Sequence, residues 1–256
     1  MAALGLGFLM LPSTATRAAE APTIPPDCEL VESLTLQISE ISDAENLVLS
    51  DGSELNLNVL TSDLDDPVVL RTQKGLVGKT LTILQTKNSD HHPDRYGRLS
   101  GQAMVHDNEK RTWLQARLIS QGIAQTRIER TPSTCLTALL QLEATARQNK
   151  KGHWGTRLFE VLPASKPKLL LKEAHSYSIV EGTITRRSKS RGRVYLNFGK
   201  DWKQDFTVRI PARLVKNNQI GARLSKGTKV RVRGWIRSKN GPLMDVQNLD
   251  ALEFLD

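Results

Sequence analysis

The sequence predicts an α+β protein, mainly β, with two small β-barrels in series. Three observations predict it. Short runs alternate apolar and polar residues and are divided by turn dipeptides such as Asp51-Gly52 and Asn240-Gly241, which is hairpin patterning. Two helix-like stretches follow the first group of strands. A break carrying Pro163, Ser165 and Pro167 among lysines then precedes a second group. At 256 residues the chain has room for two modest domains.

Taken in order, Met1 to Ala21 reads as an export signal. Its apolar core, Ala2 to Leu11, is too short to span a bilayer, and small residues around Ala15, Ala18 and Ala19 suit a cleavage site. It lacks a positively charged leader, and a buried helix is the competing reading. No other segment is long and apolar enough for a membrane-crossing helix. Export would place the protein in an oxidising compartment, a periplasm or the cell exterior. The chain has only two cysteines, Cys28 and Cys135. An even pair in an exported chain suggests one disulfide; two separate buried thiols is the alternative.

Ser33 to Ile41 places Leu34, Leu36, Ile38 and Ile41 among polar residues, as a strand does. Asp43-Ala44-Glu45-Asn46 turns, Leu47-Val48-Leu49 returns, and Leu55 to Leu60 alternates again after the Asp51-Gly52 turn. Three antiparallel strands joined by tight turns open a small barrel. A short helix is expected over Val68 to Leu76, strands over Thr80 to Leu84 and Leu99 to Val105, and helices near Trp113 to Ala124 and Leu136 to Gln148.

The formal net charge is +9, which favours anionic partners. The excess is uneven. From Lys166 to Asp256 there are 20 Lys and Arg against 8 Asp and Glu, a net of +12; the residues before them carry 16 against 19, a net of −3. An electrostatic partner is therefore expected at the C-terminal part.

Between the fourth and fifth strands lies Asp94-Arg95-Tyr96-Gly97-Arg98. Two guanidiniums beside a ring and a glycine suit phosphate, because arginine can grip it with two parallel hydrogen bonds. A solvated turn with two surface arginines is the plainer reading. His91 and His92, beside Asp90 and Asp94, are of the types that hold a divalent metal, but adjacent side chains in a solvated loop rarely point the same way.

The order of motifs adds to this. The loop is followed by Trp113 to Ala124, ending Gly122-Ile123-Ala124, and then by a helix closing Lys150-Lys151-Gly152-His153-Trp154-Gly155. Over Leu30 to Gly155 this resembles the staphylococcal nuclease (thermonuclease) family. The resemblance implies a five-stranded barrel of the oligonucleotide-binding (OB) kind with helices packed on it. It implies a phosphodiester hydrolase in which two arginines grip the phosphate, a glutamate directs water and aspartates hold calcium. Such hydrolysis needs charge neutralisation and an oriented nucleophile.

Carried over by position, Arg98 matches the motif arginine, and Asp43 and Glu45 fall on the paired metal aspartates. Asn56 stands where the other arginine is expected, Thr61 where a metal aspartate is, and Leu64 where the glutamate is. Sliding the alignment brings Asp63, Asp65 or Asp66 into play, but no arginine lies between Arg17 and Arg71. The expectation is a nuclease-like domain over 30–158 with weak or absent phosphodiesterase activity. The alternative is an active calcium-dependent nuclease.

After a linker, 159–174, the region 175–256 reads as strand, strand, strand, helix, strand, strand, the order of a second OB-like barrel. Tyr177 to Thr185 and Arg193 to Gly199 are strands around a basic turn, Arg186 to Gly192; Asp205 to Ile210, Lys229 to Ile236 and Leu243 to Val246 follow. Tyr195 to Gly199, Trp202 and Asp205-Phe206-Thr207 look like a tail found on some exported bacterial members of the family. Rings interleaved with cations can hold a nucleic-acid strand by stacking and charge. Arg95, Tyr96, Arg191, Arg193, Tyr195, Trp202, Lys203, Arg231 and Arg233 are thus the candidate contacts to nucleic acid or another polyanion; core rings and a solvated cationic face are the alternative.

Overall fold

The computed structural model describes residues 23–87, 93–108, 110–129, 131–216 and 219–255. The expected export signal and the His91-His92 pair lie outside them. In the first half the chain forms β1 (Val31–Ile41), β2 (Asn46–Leu49), β3 (Glu54–Asn56), β4 (Val59–Leu60), α1 (Pro67–Lys74), β5 (Thr80–Gln85), β6 (Arg98–Ser100), β7 (Gln102–Asp107), β8 (Lys110–Trp113), α2 (Leu114–Ser120), β9 (Gln125–Thr126) and α3 (Ser133–Gln148).

These strands form one sheet in the order β6-β3-β2-β1-β5-β7-β8, with β4 and β9 paired separately. β1 pairs antiparallel with β2 and β5, and β3 pairs parallel with β6. β6 and β7 lie far apart in that order, yet only Gly101 separates them in the chain. A Cβ on Gly101 would sit 2.8 Å from the Ile83 side chain and 2.9 Å from the Leu84 carbonyl oxygen, so the kink there admits no side chain.

Local signals explain the helix ends. Asp66 caps α1, its carboxylate accepting from the amides of Val68 and Val69 at 2.9 and 3.3 Å, and Pro67 needs no partner at the first position. The helix stops at Lys74 because Gly75 follows, two residues short of expectation. α2 starts at Leu114, since Trp113 belongs to β8, and gives way before Gly122, whose φ is 73°. Cys28 and Cys135 form a disulfide between the segment before β1 and the first turn of α3.

The second half holds β10 (Val161–Pro163), α4 (Pro167–Lys172), β11 (Tyr177–Thr183), β12 (Arg186–Ser190), β13 (Arg193–Asn197), β14 (Thr207–Pro211), α5 (Ala212–Val215), α6 (Gln219–Arg223), β15 (Lys229–Ser238), β16 (Pro242–Asp245) and β17 (Leu252–Phe254). Their sheet runs β10-β11-β15-β16-β14-β13-β12, with β17 added on β15. The expected basic turn over Arg186 to Gly192 is a strand plus the two-residue turn Arg191-Gly192, with φ of 46° and 72°. Arg186 to Ser190 contains no apolar residue, so it carries no strand periodicity. Backbone pairing with β13 makes it one.

Two apolar cores result. Leu47, Leu55, Leu81, Ile83 and Leu118 sit in the first, and Phe206, Val208, Ile210, Val230 and Met244 in the second. α3 serves both: Cys135 and Leu139 belong to the first, Leu136 to the second.

Candidate nucleic-acid interface

The loop before β6 is organised by its own acid. The Asp94 carboxylate accepts from the Tyr96 and Arg98 amides at 2.8 and 3.0 Å, and from Nε and Nη2 of Arg98 at 3.2 and 3.1 Å. The Arg98 amide first, opposed by burial but joined by the Tyr96 amide and the Arg98 guanidinium, holds this carboxyl below the usual range. Arg95 and Arg98 both lie over the Tyr96 ring, 4.8 and 5.1 Å from its centre, and that ring is 65% exposed. Arg98 is thus turned back onto its own loop by an exposed pair.

Register places Asn46 beside Asn56, and Asn56 beside Ser100, two residues along β6 and its continuation from Arg98. A chain of amides fills this face. Asn46 donates to both oxygens of Asp43 at 2.8 Å, and Asn56 donates to the Asn46 carbonyl at 2.7 Å. Asn58 donates to Ser100 at 2.8 Å. Glu45 turns elsewhere, accepting from the Thr61 amide and hydroxyl at 2.9 and 3.1 Å. Burial pushes the Glu45 carboxyl up, and the Thr61 bonds pull against it.

Positions matched by resemblance therefore do meet: 45 meets 61, and 56 lies beside the Asp43 cluster. The chemistry at them differs, with a hydroxyl where a second acid is implied and an amide where a guanidinium is. The set does not fit calcium. One carboxylate faces an amide, the other a hydroxyl, and no group of three His, Cys, Asp or Glu able to hold a metal occurs among the described residues.

The second half presents a different surface. On β13 and β14, Val194, Leu196, Val208 and Ile210 point into the core. The alternating residues Tyr195, Asn197, Thr207 and Arg209 point the other way, as strand periodicity requires. With Arg186, Arg191, Trp202 and Lys239 they line a groove of about 550 Å³. No carboxylate is among its lining residues. Cross-strand register builds it: Arg186 lies opposite Asn197, and Tyr195 opposite Arg209. Arg209 is held by Asp245, its Nη2 donating at 2.5 Å. That bond, opposed by burial and aided by the nearby Tyr195 hydroxyl, keeps the guanidinium charged.

Of the predicted contacts, Arg191, Tyr195 and Trp202 line this groove. Arg193 is exposed on β13 in the same alternation as Tyr195, and the Lys203 Nζ lies 5.8 Å from the centre of the Trp202 ring. Arg186, Arg209 and Lys239 were not anticipated. Only the strand register could have joined them to Tyr195.

Arg231 and Arg233 require correction. Their side chains are 16% and 3% exposed. Arg233 donates to both oxygens of Glu143 on α3, at 2.8 and 3.0 Å, and to Glu253 at 3.2 Å. Arg231 donates to Glu181 at 2.8 Å and also to Glu253. Acids from α3, β11 and β17 cover these two guanidiniums, so neither is offered to a ligand. Phe206, equally, is fully buried, against Phe198.

No curated protein matches the chain. Among solved structures it is similar to a putative aspartyl-tRNA synthetase from Leishmania major Friedlin (7% identity, 38% of this chain and 20% of that one, TM-score 0.27). It is similar also to the S. pombe Stn1-ten1 complex (18%, 31% and 57%, TM-score 0.25). A third is the asparaginyl-tRNA synthetase from Pyrococcus horikoshii (13%, 38% and 23%, TM-score 0.29). The chain spans between a fifth and just over half of the length of these structures. Residues 70–156, from within α1 through the Tyr96-Gly97-Arg98 loop to the turn after α3, match the family described as staphylococcal nuclease homologue. The chain therefore carries a staphylococcal nuclease homologue segment.

Proposed function

We propose that this is an exported two-domain protein of the staphylococcal nuclease kind that binds nucleic acid or another polyanion and has little or no phosphodiesterase activity. The observation that carries this reading is the pairing of Glu45 with Thr61 and of Asn46 with Asn56, where the family chemistry needs a second acid and a second arginine. An electrostatic clamp on a transferring phosphoryl group is worth several kcal/mol, and a general base about 10²–10⁴ in rate. Losing both leaves the Arg98 loop as a phosphate contact without an oriented nucleophile.

The division is a nuclease-like domain, 30–158, a linker, 159–174, and a basic β domain, 175–256. Each is read as a five-stranded OB-like barrel. The support is a shared pairing scheme: strand one with two and four, three parallel with five, five antiparallel with four. In the first half the strand kinked at Gly101 serves as the fifth. In the second half β11 and β12 together serve as the first. The disulfide supports an oxidising destination.

The test incubates the purified protein with denatured DNA and calcium, with chelator as control. The expected result is a salt-dependent gel shift without cleavage. Chelator-sensitive cleavage that disappears in Arg98→Ala would replace this reading with that of a working calcium-dependent nuclease.

A further inference from the structure

The groove on β12, β13 and β14 is more specific than a basic patch. Resting on the proposed polyanion reading, we infer that it is a site for single-stranded nucleic acid, with bases stacked on Tyr195 and Trp202 and phosphates on Arg186, Arg191 and Lys239.

Arg209 is neutralised by Asp245. Arg186, Arg191 and Lys239 have no carboxylate partner among the described residues, and none lines the groove. Three cations around an acid-free groove attract a polyanion of any kind.

The rings decide between kinds. Trp202 is 52% exposed, but its loop is braced. The Asp205 carboxylate accepts from the Asp201 amide at 2.6 Å, and Asp201 accepts from the Lys203 amide at 3.0 Å and the Gln204 side chain at 3.0 Å. A Cβ on Gly199 would lie 2.0 Å from the Asp205 carboxylate, and one on Gly241 would lie 2.7 Å from the Gln204 backbone. Glycines at both places let the loop dock against the β15–β16 turn. A large apolar ring is thus held in water by a fixed frame beside a second ring, Tyr195. Stacking on such rings needs a base whose face is open. A duplex hides its base faces in its own stack, and a polyphosphate or sulfated sugar has none. Only an unpaired strand engages both the cations and the rings.

The experiment uses the full chain in chelator, so that cleavage is excluded, with labelled probes of about 15 nucleotides, within the range one such barrel covers. Fluorescence anisotropy compares a single strand, its duplex, an abasic strand of equal length and inorganic polyphosphate. The single strand is expected to bind at least about tenfold more tightly than the other three, and to quench tryptophan emission in the parent but not in Trp202→Phe. Trp202→Ala and Tyr195→Ala should each weaken the single strand roughly tenfold and leave the abasic strand unchanged. Trp202 is exposed, so that variant keeps the test decisive if Tyr195→Ala misfolds.

Equal affinity for the abasic strand or polyphosphate would overturn base stacking while the polyanion reading stands. Tighter binding of duplex would overturn it equally. Binding of no probe would overturn both. Single-strand binding untouched by Trp202→Ala but lost with Tyr96→Ala would move the site to the loop of the first half and overturn the assignment.

Discussion

The Arg233 guanidinium lies 2.8 and 3.0 Å from the two carboxylate oxygens of Glu143, a residue 90 positions earlier in the chain. Both side chains are almost fully excluded from water, and Glu143 also accepts from the Thr126 amide at 2.7 Å. The pair ties α3 to β15, and so one half of the chain to the other. Burial works against the charge on Arg233; Glu143, Tyr177 and Glu253 outweigh it and hold the guanidinium protonated.

Removing one partner of a buried pair strands the other. Glu143→Ala is expected to lower stability by about 3–5 kcal/mol in urea unfolding. The double variant Glu143→Leu with Arg233→Met should recover much of that loss, because two desolvated charges disappear together. A Glu143→Ala protein as stable as the parent would show that α3 and β15 do not meet in this way.

The Cys28–Cys135 bond closes a loop with a sequence separation of 107. Constraining so long a loop in the unfolded chain contributes about 4–5 kcal/mol in the chain-entropy account. Reductant, or Cys28→Ser with Cys135→Ser, should shift the urea midpoint down accordingly. A midpoint insensitive to reductant would contradict the crosslink.

Asn56→Arg, Thr61→Asp and Leu64→Glu together restore the implied charge set on the first half. Leu64 is 48% exposed, so a glutamate fits there. Chelator-sensitive cleavage of denatured DNA should then rise at least about 100-fold over the parent. If a folded triple variant stays silent, the matching of these positions to the family is wrong.

Asp66 contributes to the acid limb of stability. Burial raises its carboxyl, but hydrogen bonds from Ser62, Val68 and Val69, with His153 nearby, prevail and hold it below the usual range. The His153 Nε2 lies 2.5 Å from Asp66 Oδ2, linking the turn after α3 to the cap of α1. Because the folded value is depressed, the stabilisation is complete above about pH 4 and falls away as pH drops through that lower value. Unfolding free energy measured from neutral to acid pH should therefore fall less steeply below about pH 4 in Asp66→Asn, at the cost of lower stability at neutrality.

Gly101 tests the kinked strand. Gly101→Ala should cost about 1–3 kcal/mol, since a methyl group meets both Ile83 and the Leu84 backbone. Thermal unfolding measures it, and an unchanged midpoint would mean that β6 and β7 are not pressed against β5.

Periodicity made much of the chain legible. The alternation from Ser33 to Ile41 and from Lys229 to Ile236 became β1 and most of β15, and Asn240-Gly241 became the turn from β15 to β16, with φ of 51° and 86°. Tyr195, Trp202 and Arg191, which line one groove, were legible as candidates because rings among cations stand out in a basic segment. Arg186 to Ser190 was not, because a strand without apolar residues has no period to detect.

What residue order determined by itself was local: which runs extend, where glycine and proline stop them, and that the positive excess belongs after Lys166. Tertiary structure decided which cations meet water. Arg231 and Arg233 alternate on β15 as cleanly as Tyr195 does on β13, yet Glu143, Glu181 and Glu253 cover them. Arg186 and Lys239 look ordinary in sequence and border an acid-free groove. A charge binds a ligand or its own protein according to what lies across a few ångströms, and those neighbours come from positions tens of residues away, set by strand register and by the packing of α3.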